Sequence, residues 1–367
     1  MNERDAYIAL NMMEKVGPVG VRALCGAVGS AAAIFDARRE ALMQAGGVGP
    51  ETASAIIEQR ARVDWRGEMD RAEAAGARIV AQIDEEYPAA LREIHDPPLA
   101  LYVRGSLRSG DKHALAIVGT RHPSHYGREV AERFAGQLAR SGMTVVSGLA
   151  EGIDTAAHKG ALKAGGRTLA VIGSGLDCVY PASNRELAGQ IAGQGAVMTE
   201  FPFGRQPDRT TFPIRNRIVS GLSTGIVIVE AGLKSGAMIT ARQAAEQGRN
   251  VFAVPGRIDS PASQGCHELI RSGAALVRSV EDILAEYEFL LHPAGSPAAA
   301  PRPAAPVSAD EAAVLTLLED GEQDVDSLIR ASGLPTATVS SALVCLEMKR
   351  RIRMLPGRVV EKVRGGS

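Results

Sequence analysis

Residues 114–127, ALAIVGTRHPSHYG, and 143–154, MTVVSGLAEGID, each run from a short aliphatic stretch through a glycine into a loop and then toward an amphipathic segment. The same rhythm returns in TLAVIG (168–173), AVMTEF (196–201), GIVIVEA (225–231), NVFAVPG (250–256) and AALV (274–277). Short β-branched or aliphatic runs alternating with helical periodicity predict a parallel sheet wrapped by helices. Upstream, glycines break a helical pattern into Tyr7 to Val16, Val19 to Val28, Ser30 to Asp36, Arg38 to Ala45 and Pro50 to Arg62, a small all-α unit. Downstream, 292–307 is almost wholly Ala, Pro, Gly and Ser and reads as a tether. Beyond it, two helices, a turn at Gly333 to Pro335, a third helix and a short hairpin predict a winged helix-turn-helix. The expected division is 1–80 helical, 81–290 α/β, 291–307 linker and 308–367 winged helix.

A chain of 367 residues fits two or three domains, and 45% apolar with 23% charged residues excludes a disordered or collagen-like polymer. Lys+Arg 41 against Asp+Glu 42 leaves a net charge of -1, so any site for a polyanion must be local. The start, MNERDAYIAL, is acidic without a long apolar run, and no stretch approaches the length of a membrane span. A cytoplasmic protein without a membrane partner is expected. Cys25, Cys178, Cys266 and Cys345 are far apart and form no CxxC pair, which argues against a disulfide framework or structural zinc.

In an open α/β sheet, ligands gather beyond the carboxyl ends of the strands, where loops lead into helix N-termini with free N–H groups. Here those loops are GTRHPSHYG (119–127), SGLAEGID (147–154), GSGLDCVYP (173–181), RQPDRTTFPIRNR (205–217), EAGLKSG (230–236) and PGR (255–257). One glycine turn is a tight connection; several on one sheet edge suit phosphates or an extended polyanion. The 205–217 loop carries Arg205, Arg209, Arg215 and Arg217 against Asp208. Arg121 and Lys234 add cations, and Tyr126, Tyr180, Phe201, Phe203 and Phe212 are expected nearby, although each alone could be core. Cations beside planar rings suit single-stranded nucleic acid, each stacked base contributing about 1–3 kcal/mol.

Other chemistries fare worse. GSGLDC has Cys178 where a dinucleotide fingerprint needs its third glycine, and no GxxxxGK[ST] occurs. Asp154 and His158 share a helix face, and Ser147 or Ser174 could be imagined as a nucleophile, but a capping Asp and a hydrogen-bonded histidine explain the pair as well. His122 and His125 could be two metal ligands, yet no third is evident and no metal site is assigned. Glu200 could act as a base or pair with the arginines.

The set GTRHPSHYG, SGLAEGIDTAAHKGAL, GSGLDCVYPASNREL, TEFPFG, TFPIRNRIVSGLS, VIVEAGLKSGAMITARQAAEQGR and VFAVPG resembles the DNA-processing protein A (DprA/Smf) family over roughly 85–285. The resemblance implies an extended Rossmann-like parallel sheet that binds single-stranded DNA without hydrolysing it. It also implies loading of the recombinase RecA during natural transformation, with no cofactor and no catalytic residue. A homodimer through the central domain is implied too, and we expect its contact on the late part of that domain. Mapped onto this chain, the implied single-strand contacts are Gly119, Arg121, Ser147, Gly148, Gly173, Ser174, Gly175, Arg205, Phe212, Arg215, Asn216, Arg217, Ser220, Gly221, Lys234, Ser235 and Gly236. Where relatives often have a lysine before FPxRNR, this chain has Arg205 and then Gln206. GGVGPETASAI (46–56) looks like a helix-hairpin-helix of the kind found, like a sterile-alpha-motif-like domain, at the front of such proteins, with KVGPVGVRAL (15–24) a fainter copy. The acidic approach to the winged helix makes a protein contact there at least as apt as a DNA-backbone contact. The rival class is a nucleotide phosphoribohydrolase or nucleotide sensor of the lysine-decarboxylase-like group; EAGLKSGAMITA lacks that group's double glycine and trailing glutamate.

Overall fold

The computed structural model describes residues 1–287, 308–318, 321–349, 351–355 and 359–362. The expected linker, 291–307, lies outside the described residues. The chain forms two compact units, Met1–Glu288 and Phe289–Ser367.

The first unit opens with helices α1 (Glu3–Asn11), α2 (Pro18–Val28), α3 (Ala31–Asp36), α4 (Arg39–Leu42), α5 (Pro50–Gln59) and α6 (Trp65–Ala74). Gly17 and Gly49 are N-caps followed by Pro18 and Pro50, whose fixed φ and missing N–H suit the first helical turn. Leu10, Leu24, Ile34, Leu42 and Ile56 fill the centre, while Ile8 packs into a core of the sheet. Two expectations need correction. The first helix begins earlier, because the Asn2 side chain caps it by accepting from Asp5 N–H, and it stops at Asn11. The sixth helix was not anticipated from its polar sequence; Asp64 caps it, and its buried Glu68 faces the sheet domain.

The sheet has nine strands: β1 (Arg78–Ala81), β2 (Ala100–Gly105), β3 (Ala114–Val118), β4 (Thr144–Ser147), β5 (Thr168–Val171), β6 (Ala196–Thr199), β7 (Gly225–Ile228), β8 (Asn250–Ala253) and β9 (Ala275–Leu276). Their order is β1-β2-β6-β5-β4-β3-β7-β8-β9. From β6 to β9 every pairing is parallel, as the sequence predicts. The sheet as a whole is mixed, not parallel: β1 and β2 form an antiparallel pair, and β2 lies antiparallel to β6. A compact link carrying α7 (Ala89–Arg92) joins β1 and β2, and an antiparallel pair needs no crossover helix. Side chains alternate between the faces, with Val80, Leu101 and Val103 in one core and Ile79, Ala81 and Tyr102 in the other.

Around the sheet lie α8 (His125–Arg140), α9 (Ile153–Lys163), α10 (Arg185–Gln194), α11 (Thr211–Gly221), α12 (Gly236–Glu246), α13 (Gln264–Arg271) and α14 (Val280–Ala285). Strand order proceeds outward from β3 through β4, β5 and β6, then returns to place β7 on the other side of β3. That reversal opens a crevice at the carboxyl ends of β3 and β7.

The second unit contains α15 (Ala309–Leu317), β10 (Gln323–Asp324), α16 (Val325–Ser332), α17 (Thr336–Met348), β11 (Ile352–Leu355) and β12 (Val359–Lys362). Ser308 and Glu311 form a capping box, and Gly333 ends α16 in the left-handed conformation with φ 66°. The strands form a sheet in the order β10-β12-β11, giving the expected winged helix with one strand more than its hairpin.

Candidate functional site

Past β3 the chain is held so that its loop curls over the switch point. Thr120 N–H donates to Glu230 O at 2.7 Å, and Ile153 N–H donates to Thr120 O at 3.2 Å. The Glu230 carboxylate, at the end of β7, accepts from Ser124 N–H at 2.9 Å and Ser124 Oγ at 2.6 Å. A Cβ on Gly119 would come within 2.6 Å of Ile153 Cγ1 and 2.8 Å of Glu230 O, so the close approach requires glycine. Asn184 performs the same service for the next loop, its Nδ2 donating to Leu149 O at 2.9 Å and Thr155 Oγ1 at 2.8 Å. Among these clamps, Glu230, Ser124 and Asn184 were missed from sequence. A glutamate ending the strand VIVEAG was the available signal for the first.

Arg215 crosses beneath the loops. Its Nη1 donates to Gly148 O and Val171 O, while Asp154 accepts from Gly148 N–H at 3.1 Å. Burial lowers the Arg215 pKa to about 10, opposed by the Asp154 charge and reinforced by Arg121, so the guanidinium stays cationic at neutral pH. Burial raises the Asp154 pKa, and Arg215 opposes that shift. The Arg215 Nε is buried without a hydrogen-bond partner. Exposed Arg121 lies over the Phe212 ring at 5.0 Å, and the Phe212 ring is 6.0 Å from that of Tyr180. Opposite, Ser235 is the N-cap of α12, yet its Oγ caps nothing and is buried without a partner.

These groups enclose a cavity of about 290 Å³. It gathers Gly119, Arg121, Gly148, Phe212, Arg215, Asn216, Ser235 and Gly236. The α11 helix contributes Phe212, Arg215, Asn216 and Val219, the i, i+3, i+4, i+7 face. Arg217 is two residues from Arg215 and therefore points elsewhere. It pairs with Asp96 at 3.0 Å and Glu200 at 2.5 Å, with only 7% of its side chain exposed. Ser220 and Gly221 share that second face; Ser220 Oγ bonds back to Arg217 O, and Gly221 lies against Leu91 and Ile94. The structure thus turns Arg217, Ser220 and Gly221 into the fold and away from the cavity.

The remaining expected residues support the rim. Gly173 backs the Phe212 ring, where a Cβ would be 3.1 Å from Cδ1. Gly175 N–H donates to Arg205 O at 2.9 Å, tying two loops together, and Arg205 pairs with Asp208 at 2.5 Å. Ser147 Oγ donates to Ile117 O at 2.7 Å and Ser174 Oγ to Cys178 O at 2.8 Å, so both hydroxyls serve the backbone. Lys234 is exposed beside Ser235 but lines a neighbouring cavity. His158 Nδ1 meets Thr168 Oγ1 at 2.7 Å, and burial, with Arg215, pushes its pKa down to about 3. It is a neutral interior group. Glu200 is raised by burial and lowered by Arg217, the pairing alternative of the sequence reading. His122 and His125 belong to no cluster of three metal-ligating side chains among the described residues.

With these loops and cations around one cavity, residues 78–288 match the family described as DNA recombination-mediator protein A. The chain belongs to the DprA family. Its 298–358 segment matches the DprA winged helix domain, and 7–62 matches a SAM-like helix-hairpin-helix tandem. It is 40% identical over 295 residues to Protein Smf of Escherichia coli, covering 77% of this chain and 76% of that DprA-family relative. The solved DprA of Streptococcus pneumoniae superposes with TM-score 0.69 at 34% identity, covering 78% of this chain and 99% of the other. DprA of Helicobacter pylori, solved to explain its single-stranded DNA binding mode, gives TM-score 0.54 at 31% identity over 59% of this chain and 97% of the other.

Proposed function

We propose that this chain binds single-stranded DNA at the switch-point cavity and mediates recombination by passing the strand to a RecA recombinase during natural transformation. The observation that carries the reading is the convergence of Arg121, Arg215 and the open N-terminus of α12 on one cavity floored by Phe212. The two cations supply charge for phosphates, and the α12 N–H groups and the unpartnered Ser235 Oγ supply donors. The Phe212 and Tyr180 rings offer π faces to bases, which makes binding tolerant of sequence and sensitive to salt. The single-stranded DNA binding of the H. pylori relative supports the same ligand class.

The site acts by binding alone. The Ser147 and Ser174 hydroxyls are engaged with carbonyls, and neutral His158 is engaged with Thr168. No cofactor has a part in this reading. A second copy of the chain fits the face formed by α12, α13 and the β9 edge, where Leu233 (54%) is exposed beside Met238 and Leu269 and Leu276 (46%) is exposed on β9. The role places the protein in the cytoplasm; among the described residues no helix is long and apolar enough to cross a membrane.

The deciding experiment titrates the purified protein with a labelled single strand, its duplex and free nucleotides at two salt concentrations, followed by a RecA-loading assay. Salt-dependent preference for the single strand is expected. Binding of nucleotide alone with release of a product would replace this reading with the phosphoribohydrolase.

A further inference from the structure

A cavity of about 290 Å³ is at the small end of ligand sites and takes about one nucleotide, so a longer strand must leave over the rim. Toward Lys234 the exit meets a cavity where Leu233, Met238, Ile239 and Leu269 alternate with Lys234, Arg242 and Arg249, the last already donating to the Ala90 and Gly221 carbonyls. Over Arg121 it meets a separate groove of about 510 Å³ between α8 and α9, which shares Arg121 and His122 with the first cavity. Arg128 projects into this groove from α8 and Lys159 from α9. Both are exposed, and among the described residues neither has a carboxylate within ion-pair distance. Even Glu132, one helical turn from Arg128, forms no ion pair with it. Arg121, Arg128 and Lys159, none in an ion pair among the described residues, line this one groove and suit a continuing polyanion, while Glu132 and Glu151 on the same walls set an unfavourable background.

We infer that Arg128 and Lys159 form a second phosphate subsite, and that the strand held at the switch point continues over Arg121 into the α8–α9 groove. The inference rests on the single-strand reading above. It assigns the groove to phosphates rather than bases, because no Phe, Tyr or Trp lines it.

The test measures anisotropy of labelled oligothymidylates of roughly four and roughly sixteen nucleotides, spanning the usual range of single-strand site sizes. With the full-length double variant Arg128→Ala, Lys159→Ala, the short oligomer should bind as to the unaltered protein. The long one should bind several-fold more weakly, its salt slope falling by about 1.4, or 0.7 for each lost phosphate contact. The swap Arg128→Lys, Lys159→Arg should restore the slope, and Glu132→Gln, Glu151→Gln should tighten only the long oligomer. Unchanged affinity and slope for the long oligomer in the alanine variant would overturn the subsite. Equal weakening of both oligomers would place these cations in the first cavity and overturn the separate track. If the unaltered protein binds neither oligomer, the single-strand reading itself fails.

Discussion

The guanidinium of Arg215 occupies the space a side chain at Gly148 would need: a Cβ there would overlap Nη1, which donates to the Gly148 carbonyl. One loop glycine and one helix arginine are therefore a single structural unit, although 67 residues separate them. Gly148→Ala is expected to displace Arg215, costing about 1–3 kcal/mol as an overpacked site. It should also abolish tight single-strand binding. Thermal unfolding and anisotropy on the same sample check both halves, and wild-type binding would separate Arg215 from the ligand.

Arg121 and Arg217 should behave oppositely. Arg121→Ala is expected to leave the unfolding midpoint in place and weaken single-strand binding on the order of tenfold, the worth of one stacking or phosphate contact. Arg217→Ala strands buried Glu200 and should destabilise the fold by about 3–5 kcal/mol. Denaturant titrations of the two variants distinguish the roles.

Ser235→Ala removes a hydroxyl that bonds nothing in the free protein. Stability should be unchanged or slightly higher, while DNA affinity falls by about 1 kcal/mol, one neutral hydrogen bond. A loss of stability without loss of affinity would make Ser235 a structural residue.

His158 is held neutral, its pKa lowered by burial from 6.5 to about 3. The unfolded chain binds a proton that the folded one refuses, so this contribution is intact above pH 6.5 and is lost progressively as pH falls toward 3. In that window the slope attributable to His158 approaches about 1.4 kcal/mol per pH unit. His158→Gln should remove that part of the slope, measured by denaturant unfolding at several pH values. Equal slopes in the two proteins would show that His158 carries a proton when folded.

A chain ending at Tyr287 retains the first compact unit and the whole switch-point cavity. It should keep most single-strand affinity. Near-total loss would assign the DNA contact to the winged helix.

The strand-loop rhythm, the charged 205–217 stretch and the capped helices were legible because each depends on local periodicity, turn chemistry or the composition of a few adjacent residues. The sequence by itself thereby determined an α/β core with a glycine-rich loop edge, a helical unit before it and a winged helix after it. It did not reveal that β1 and β2 extend the sheet antiparallel, since short runs such as RIVA carry no mark of their partner. Nor did RNR disclose that its first arginine faces the cavity while its second turns to Asp96 and Glu200. Helical geometry separates the two directions, but only the tertiary structure decides which direction meets the cavity. The partners that settle it, Gly148 and Val171 for one arginine and Asp96 and Glu200 for the other, come from distant parts of the chain. The free energy of burying each charge depends on those partners together, and folding alone assembles them.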